Sequence, residues 1–269
     1  MAVFFDPISH RERMPSVARR IADREVRRRI KAWLKAPVEE RDEKGNRRMT
    51  GGQSRTCGTP QGGVVSPLLA NLYMNRFLKY WRITDRGKAF RAQVVNYADD
   101  FVILTRRHAT EARDWTRQVM TRLGLTLNEA KTKLKEARQE SFDFLGYTFG
   151  PQHYRKTGRE YLGASPSKKS LARLRQKVNG VLASDNPETW PEERDRLNRI
   201  LRGWSNYFSY GTRWAAYGAV NHHVAVRVRH FLKRRQKVST RGTRILTDRV
   251  LFGPLGVLRL RPAPAAARP

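Results

Sequence analysis

The spacing of apolar residues predicts two helical regions early in the chain. Residues 15–36 are expected to be helical, with a break near Asp23 and charge on nearly every outward position. A turn-rich loop or hairpin follows through residues 42–52, where glycine and polar residues keep apolar burial low. Apolar side chains from Leu69 to Tyr80 then recur at helical intervals, and Ser66-Pro67 suits the start of that helix.

Short β-forming runs follow these helices. Residues 92–96 and 101–105 are separated only by Tyr97-Ala98-Asp99-Asp100, which is hairpin spacing. Residues 112–123 show helical spacing, and residues 142–149 predict one or two strands. The first part of the chain is therefore expected to combine helices with an antiparallel sheet.

The pattern becomes helical throughout after about residue 165. Ser165-Pro166 is expected to open a helix that the turn-forming residues 185–187 end. Two further apolar stripes, over 197–208 and 220–231, predict two more helices. Together they predict a small all-helical domain, and its boundary with the first part is placed near 150–165, where glycine and proline interrupt the pattern.

The charge of the chain is strongly unbalanced, since 55 Lys and Arg face 24 Asp and Glu and give a net charge of +31. A compact chain of this charge repels itself, so a polyanionic partner is expected, either nucleic acid or an anionic membrane surface. No segment approaches the roughly 18–20 unbroken apolar residues of a membrane span, and a cytoplasmic location is expected. One cysteine, Cys57, excludes an internal disulfide and the paired thiolates of a zinc finger.

Two adjacent carboxylates, Asp99 and Asp100, occupy the tip of the predicted hairpin. They repel each other unless cations neutralise them, and a divalent ion such as Mg²⁺ prefers carboxylate oxygens. A solvated turn is the alternative, because Asp is common in turns. Apolar strands on both sides make this a core hairpin and favour the metal site, in which two ions would clamp the oxygens of a phosphoryl transfer.

A glycine-rich segment, residues 58–67, leads into the predicted helix at Ser66. Such a segment lets backbone amides approach a ligand, and a helix N-terminus favours an anion. A purely structural turn is the alternative. The glycine spacing matches neither a phosphate-binding Walker loop nor a dinucleotide fingerprint.

Four motifs stand in one order along the chain: residues 58–69, Tyr97-Ala98-Asp99-Asp100, residues 125–132 and Phe144-Leu145-Gly146-Tyr147. This order resembles the motif series of the bacterial group II intron-encoded reverse transcriptase/maturase family. Residues 197–208, with Arg-Gly-Trp-Ser-Asn-Tyr-Phe at their end, resemble the maturase or thumb domain of that family.

The resemblance implies an α+β fold. A reverse-transcriptase palm, an antiparallel sheet with helices and with the fingers region missing, would occupy residues 1–155. An all-helical maturase/thumb domain that binds RNA would occupy 156–240. A C-terminal segment, 241–269, would end in a disordered tail rich in Ala and Pro.

The resemblance also implies roles for individual residues. Asp99 and Asp100 would be catalytic and would bind Mg²⁺. Lys131 would lie near the triphosphate and protonate the pyrophosphate leaving group, and an ordinary exposed lysine is the alternative. The Phe-Leu-Gly-Tyr segment would form the primer grip. The nucleotide and template pocket would be lined by Phe5, Pro60, Gln61, Gly62, Gly63 and Tyr97.

The start of the chain departs from the family pattern. A further catalytic Asp of the palm would stand six residues before Asp6, immediately before Met1, and Asp6 lies roughly 20 Å too far along an extended chain to replace it. Either the true start lies upstream or the chain is a remnant. A site without that carboxylate is expected to bind Mg²⁺ poorly and to polymerise slowly or not at all.

Basic residues crowd the predicted helices of the second domain. A solvated face is the alternative, but with the net charge of +31 they are expected to contact RNA phosphates: Lys168, Lys169, Arg173, Arg227, Arg229, Lys233, Arg234 and Arg235. Nearby aromatics could stack on unpaired bases or pack in the core, and packing is expected for Trp204 and Phe208. The histidines at 222, 223 and 230 fit an RNA-facing helix better than a metal site.

The expected function is that of an RNA-directed DNA polymerase and intron maturase. It would add deoxynucleotides to a DNA primer on an RNA template with two Mg²⁺, and would bind intron RNA. A polymerase-inactive splicing cofactor is the alternative, and a non-specific basic RNA binder is a weaker one. The sequence gives no indication of the oligomeric state.

Overall fold

The computed structural model describes residues 3–4, 10–41, 46–52, 56, 66–98, 100–154, 157–183, 188–235 and 244–261. The chain divides into two compact units, unit 1 over residues 1–134 and unit 2 over residues 135–269.

Unit 1 combines helices with two-stranded antiparallel ladders. Strand β1 pairs with β6, β2 with β3, and β4 with β5. The elements are β1 Val3–Phe4, α1 His10–Ala18, α2 Arg24–Leu34, β2 Pro37–Arg41, β3 Arg47–Gly51, α3 Ser66–Ile83, α4 Arg86–Ala89, β4 Ala92–Tyr97, β5 Asp100–Thr105, α5 Ala109–Arg122 and β6 Thr126–Leu127.

The predicted break near Asp23 is confirmed, because this residue caps α2. The Asp23 carboxylate accepts hydrogen bonds from the amides of Glu25 (2.7 Å) and Val26 (3.1 Å), two of the amides that a helix start leaves without partners. Apolar side chains of the two helices, Val17 among them, then form a small core with Ile30 and Leu34.

Aromatic side chains hold the main core of unit 1 together. Phe77 of α3 lies 5.5 Å from Phe101 of β5 and 6.1 Å from Trp115 of α5, measured between ring centroids. The predicted helices and hairpin are confirmed here. The prediction that Tyr80 lies on the apolar face of α3 is wrong, because its side chain is 51% exposed. The buried positions of α3 are Phe77 and its neighbours at helical spacing, Met74 and Trp81.

Unit 2 begins with a three-stranded antiparallel sheet in the order β7-β8-β9 and continues with helices. Its elements are β7 Phe142–Phe144, β8 Tyr147–His153, β9 Glu160–Pro166, α6 Lys168–Val181, α7 Trp190–Tyr207, α8 Trp214–Arg235 and α9 Asp248–Leu251. The mixture of helix and antiparallel sheet across both units confirms the α+β class.

Strand β9 corrects two predictions. Residues 156–240 are not all-helical, because Glu160–Pro166 pairs along its whole length with β8. Ser165-Pro166 ends this strand instead of opening a helix, and the next residue, Ser167, caps α6 by accepting a hydrogen bond from the Ser170 amide (3.2 Å).

The predicted domain bounds differ from the limits of the compact units. The predicted first domain ends at residue 155, between β8 and β9, whereas the whole sheet belongs to the unit that starts at residue 135. The bounds at 155 and 240 stay predictions about sequence domains.

Helix α8 forms the centre of the unit 2 core. Its buried face includes Val220, Val224 and Val228, as the apolar stripe predicted, and the face packs among side chains of α6 and α7. Residues 244–261 also join this core, which the sequence analysis did not predict. No helix in the described part of the chain has the length and apolar character needed to cross a membrane.

Two asparagines hold the C-terminal segment in place. Asn198 of α7 donates to the Gly256 carbonyl (2.8 Å) and accepts from the Leu258 amide (2.7 Å). Asn221 of α8 makes the same pair of bonds to the amide and carbonyl of Leu260, each 2.9 Å. These side chains replace the partner strand that an extended segment otherwise needs.

The turn between β7 and β8 is strained and closely packed. Leu145 and Gly146 both have positive φ, 50° and 79°, as a two-residue hairpin turn of the primed type requires. A Cβ added at Gly146 would lie 3.0 Å from the Ser170 hydroxyl and 3.3 Å from the Phe208 ring. The turn is therefore pressed against the start of α6 and the end of α7.

Replacing Gly146 by Ala is expected to destabilise the fold. The left-handed conformation alone costs an L-residue roughly 1–2 kcal/mol, and the contacts with Ser170 and Phe208 add to this cost. Gly158→Ala is the matched control, because Gly158 also has positive φ (67°) but a Cβ there meets nothing within 4 Å. Urea denaturation should give a lower free energy of unfolding for Gly146→Ala than for Gly158→Ala, and equal losses would contradict this packing.

Candidate functional site

The β4–β5 hairpin presents Asp100, the second residue of the predicted acidic pair, at its tip. The register runs from Ala92 opposite Thr105 to Tyr97 opposite Asp100, and Ala98 follows Tyr97. Ala98 has a positive φ of 51°, a conformation that costs an alanine about 1–2 kcal/mol. Backbone strain of this kind accumulates at functional sites, where the surrounding structure holds it in place.

A rigid base supports this tip. Phe101, the residue after Asp100, is completely buried against Phe77. At the other end of the hairpin, the Thr105 hydroxyl donates to the Phe90 carbonyl (2.7 Å). Since Phe101 points into the core, the strand alternation turns Asp100 outward, where its side chain is exposed. Tyr97, directly opposite, is 63% exposed.

Lys131 lies in an ordered turn after β6. Its backbone amide donates to the Asn128 side-chain oxygen (3.2 Å), and the Thr132 hydroxyl donates to the Asn128 carbonyl (2.8 Å). Arg117 of α5 binds both carboxylate oxygens of Glu129 at 3.0 Å. The Lys131 side chain is exposed. Its proposed role at the triphosphate stays a prediction.

Several predicted site residues lie outside the described residues: Phe5, Pro60, Gln61, Gly62, Gly63 and Asp99. Strand β1 ends at Phe4 and pairs antiparallel with β6, with Phe4 opposite Thr126 and Val3 opposite Leu127. Among the described residues, no three His, Cys, Asp or Glu side chains come together to hold a metal ion.

In unit 2, both carbonyls of the Leu145–Gly146 turn are bound. The Tyr207 hydroxyl donates to the Leu145 carbonyl (2.9 Å), while the Ser170 hydroxyl and the Ser167 amide donate to the Gly146 carbonyl (2.9 and 2.8 Å). The Tyr147 hydroxyl donates in turn to the Tyr207 carbonyl (2.8 Å). The segment predicted as the primer grip is thus fixed by hydrogen bonds to the helices of its own unit.

The aromatic residues around this turn divide into two groups. Phe208 and Tyr217 are buried, and Trp204 is half-buried against the core, so the predicted packing of Trp204 and Phe208 is confirmed. Tyr207 and Tyr210 are exposed, to 57% and 74%. The spacing of apolar residues along the sequence predicts which aromatic residues are buried. Trp204 and Phe208 are four residues apart on the apolar stripe, whereas Tyr207 lies off this stripe.

The predicted RNA-binding cations also divide by environment. The side chains of Lys168, Lys169, Arg173 and Arg234 are exposed. Protein atoms hold two others: Arg227 donates to the Leu182 carbonyl (3.3 Å), and Arg229 binds the Leu246 carbonyl (2.8 Å) and the Asp248 carboxylate. Lys233 is half-buried, and the exposed Arg235 lies 4.5 Å above the centre of the Phe231 ring.

The histidines of α8 show no metal-binding arrangement among the described residues. Nε2 of His223 lies 3.2 Å from the side-chain oxygen of Asn179. Burial lowers the pKa of His223, and the nearby cations Arg175 and Arg227 lower it further. Both effects favour the neutral form of the His223 imidazole.

Comparison with known protein families identifies the family of this chain. A family model for reverse transcriptases (RNA-dependent DNA polymerases) matches residues 1–149, and a model for the maturase-specific domain of group II introns matches residues 171–248. The chain belongs to the group II intron reverse transcriptase/maturase family. The predicted resemblance is confirmed, and the maturase-specific match covers most of α6 together with α7 and α8.

The chain is also similar to Protein YkfC of Escherichia coli (strain K12). The two are 29% identical over 178 residues, which cover 55% of this chain and 44% of YkfC. The chain thus spans less than half the length of that relative.

The hydroxyl of Tyr147 makes stability depend on pH. Burial raises the pKa of Tyr147, so the folded state favours the neutral phenol. The stability that this group contributes is complete below the ordinary tyrosine pKa of about 10, and it is lost as the pH rises through the folded value. Between pH 8 and pH 11, the free energy of unfolding should fall less in Tyr147→Phe than in the parent chain. Lysines titrate equally in both proteins. The same dependence of the free energy of unfolding on pH in both proteins would therefore contradict the raised pKa of Tyr147.

Proposed function

We propose that this chain is an RNA-directed DNA polymerase of the group II intron type, with Asp99 and Asp100 as the residues that hold Mg²⁺. The observation that carries the proposal is the β4–β5 hairpin. Its register leaves only Ala98 and Asp99 between the paired residues Tyr97 and Asp100, and the buried Phe101 fixes the strand that begins at Asp100. Two consecutive carboxylates at such a tip provide the oxygen donors that Mg²⁺ prefers.

The reaction of this family is attack of a primer 3′-hydroxyl on the α-phosphate of a deoxynucleotide, with pyrophosphate as the leaving group. When bound, Mg²⁺ would stabilise the charge that develops on the attacking and leaving oxygens. The hairpin would contribute position, because a carboxylate on a fixed strand end loses little freedom when it binds. The Lys131 ammonium group is proposed to give a proton to the pyrophosphate leaving group and to become the neutral amine. Phe5, Pro60, Gln61, Gly62, Gly63 and Tyr97 are proposed to line the nucleotide and template pocket.

A second role, binding of intron RNA through unit 2, is favoured by the first turn of α6. Lys168 and Lys169 occupy this turn, which contains no acidic residue. Cations near a helix N-terminus act against the helix dipole and typically cost 0.3–1 kcal/mol each. Both side chains are exposed, and phosphate contacts would explain two cations at a position that opposes the helix dipole. In this role the chain could act as a splicing cofactor even without polymerase activity.

The polymerase proposal is tested by Asp99→Asn in Mg²⁺-dependent primer extension on an RNA template. Loss of one metal-binding carboxylate should remove several kcal/mol of transition-state stabilisation, an effect of about 10³-fold on the rate. RNA affinity, measured in parallel by fluorescence anisotropy, should change less than about twofold, because one charge in the pocket contributes little to total phosphate binding.

Asp85→Asn is the matched control. Asp85 is an exposed carboxylate in unit 1 that pairs with the nearby Lys88, and its positive φ of 49° suits Asn. The control variant should extend primers at the parent rate. Undiminished extension by Asp99→Asn would overturn the metal assignment, and absence of extension in the parent with RNA binding retained would favour the splicing-cofactor role.

The RNA-binding proposal is tested by the double variant Lys168→Gln, Lys169→Gln. Removal of two cations from the first turn of α6 should raise the thermal stability slightly while it weakens RNA binding. The slope of log affinity against log salt should become shallower by about 1.4 for single-stranded RNA, or about 0.7 per phosphate contact.

Arg229→Gln provides the contrast. The Arg229 side chain is 16% exposed and its guanidinium binds Asp248, so the loss of this arginine should lower the melting temperature. Lower stability in the Lys168→Gln, Lys169→Gln variant with unchanged RNA affinity would contradict the assignment of these two lysines.

A further inference from the structure

One exposed tyrosine of unit 2, Tyr207, has a side chain that several contacts hold in place. Tyr207 ends α7 with its ring packed edge-on against Phe208 at 4.8 Å and tilted against Tyr147 at 6.1 Å between centroids. Its hydroxyl is anchored 2.9 Å from the Leu145 carbonyl. The ring therefore cannot swing into solvent without losing these contacts, although more than half of the residue is exposed.

Tyr210 is presented by a loop that is tied to strand β9. The Thr212 amide donates to the Ala164 carbonyl (2.7 Å), and the Thr212 hydroxyl lies 2.6 Å from that of Tyr161. Gly211 has a positive φ of 70°, and a Cβ there would collide with the Ala164 carbonyl. The loop is held so close to β9 that the neighbouring Tyr210 ring faces outward, 74% exposed.

Two lysines lie in the chain segment that binds the other carbonyl of the same turn. The Gly146 carbonyl accepts hydrogen bonds from Ser167 and Ser170, which bracket the exposed Lys168 and Lys169. Of the two carbonyls of this hairpin turn, one thus binds the hydroxyl on the fixed ring of Tyr207, and the other binds the serines on either side of the two lysines. A nucleic acid strand needs this combination of ring faces for its bases and cations for its phosphates.

We infer that Tyr207 and Tyr210 form an aromatic ledge that stacks on unpaired bases of bound RNA, while Lys168 and Lys169 contact its phosphates. The inference rests on the proposed RNA-binding function and names the form of RNA that this surface takes. Bases within a duplex are already stacked on each other, so only an unpaired strand offers its ring faces to the ledge. A ring that is already fixed loses little conformational freedom when a base stacks on it.

The experiment compares two RNAs with the full chain. One is a single-stranded 12-mer that carries 2-aminopurine, whose fluorescence is quenched when it stacks, and the other is a blunt 12-base-pair duplex. The double variant Tyr207→Ala, Tyr210→Ala should bind the single strand about 10-fold or more weakly and lose the quenching. Affinity for the duplex should stay within about twofold of the parent value, and the salt slope should be unchanged because no cation is removed.

Three further variants separate stacking from structural damage. Tyr207→Phe keeps the ring and should keep most of the quenching, although it loses the bond to Leu145. Tyr210→Ala alone leaves the anchored Tyr207 intact and should weaken single-strand binding with an unchanged melting temperature. Tyr80→Ala removes a tyrosine of similar exposure from unit 1 and should bind both RNAs like the parent.

The outcomes that overturn the inference are distinct from those that overturn the function. Parent-like affinity and quenching in the double variant would overturn the ledge while RNA binding stands. Equal losses for the single strand and the duplex would also overturn it, because they would show no preference for unpaired bases. A parent chain that binds neither RNA would overturn the proposed RNA-binding role together with the ledge.

Discussion

The burial of one face of α8 is the interaction on which unit 2 depends. Helices α6 and α7 and the C-terminal segment all pack around this face, so the elements that carry the exposed cations are held by one apolar core. A helix that is apolar on one face and strongly basic elsewhere must place every cation at the surface or pair it, because an unpaired buried charge costs several kcal/mol. Arg229 follows this rule: it flanks the buried face, and Asp248 and the Leu246 carbonyl take up its hydrogen bonds.

The two motif hairpins share a backbone feature. Ala98 in unit 1 and Leu145 in unit 2 each directly follow the last paired residue of a hairpin strand and have φ near 50°, where glycine or asparagine would be less strained. Each turn is stabilised from outside, by the burial of Phe101 in one case and by hydrogen bonds to both turn carbonyls in the other. Strain persists at these positions because the surrounding packing more than compensates for it, and both positions belong to motifs of the family.

The sequence predicted the elements whose signals are local and periodic. The helices of unit 2 have apolar stripes at 3.6-residue spacing, and the β4–β5 hairpin has two β-rich runs around a short turn. Strand β9 gave no comparable signal, since Gly163 and Pro166 weaken its pattern and its stability comes from pairing with β8. The C-terminal segment was missed for a related reason. Its partners are the amides of Asn198 and Asn221, which are about 40 to 60 residues away along the chain.

The candidate sites, like the fold, could be predicted from the sequence only in part. Residue types identified the acidic tip and the basic helices, but only the structure distinguishes Arg229, which is bound by protein atoms, from Lys168, which is exposed. The distinction matters because a net charge of +31 attracts any polyanion, and the long-range field cannot select one nucleic acid over another. Selection requires groups with a fixed geometry. In unit 2, Tyr207 has such a geometry, because its hydroxyl and ring are both held by neighbours while much of the residue stays open to a ligand.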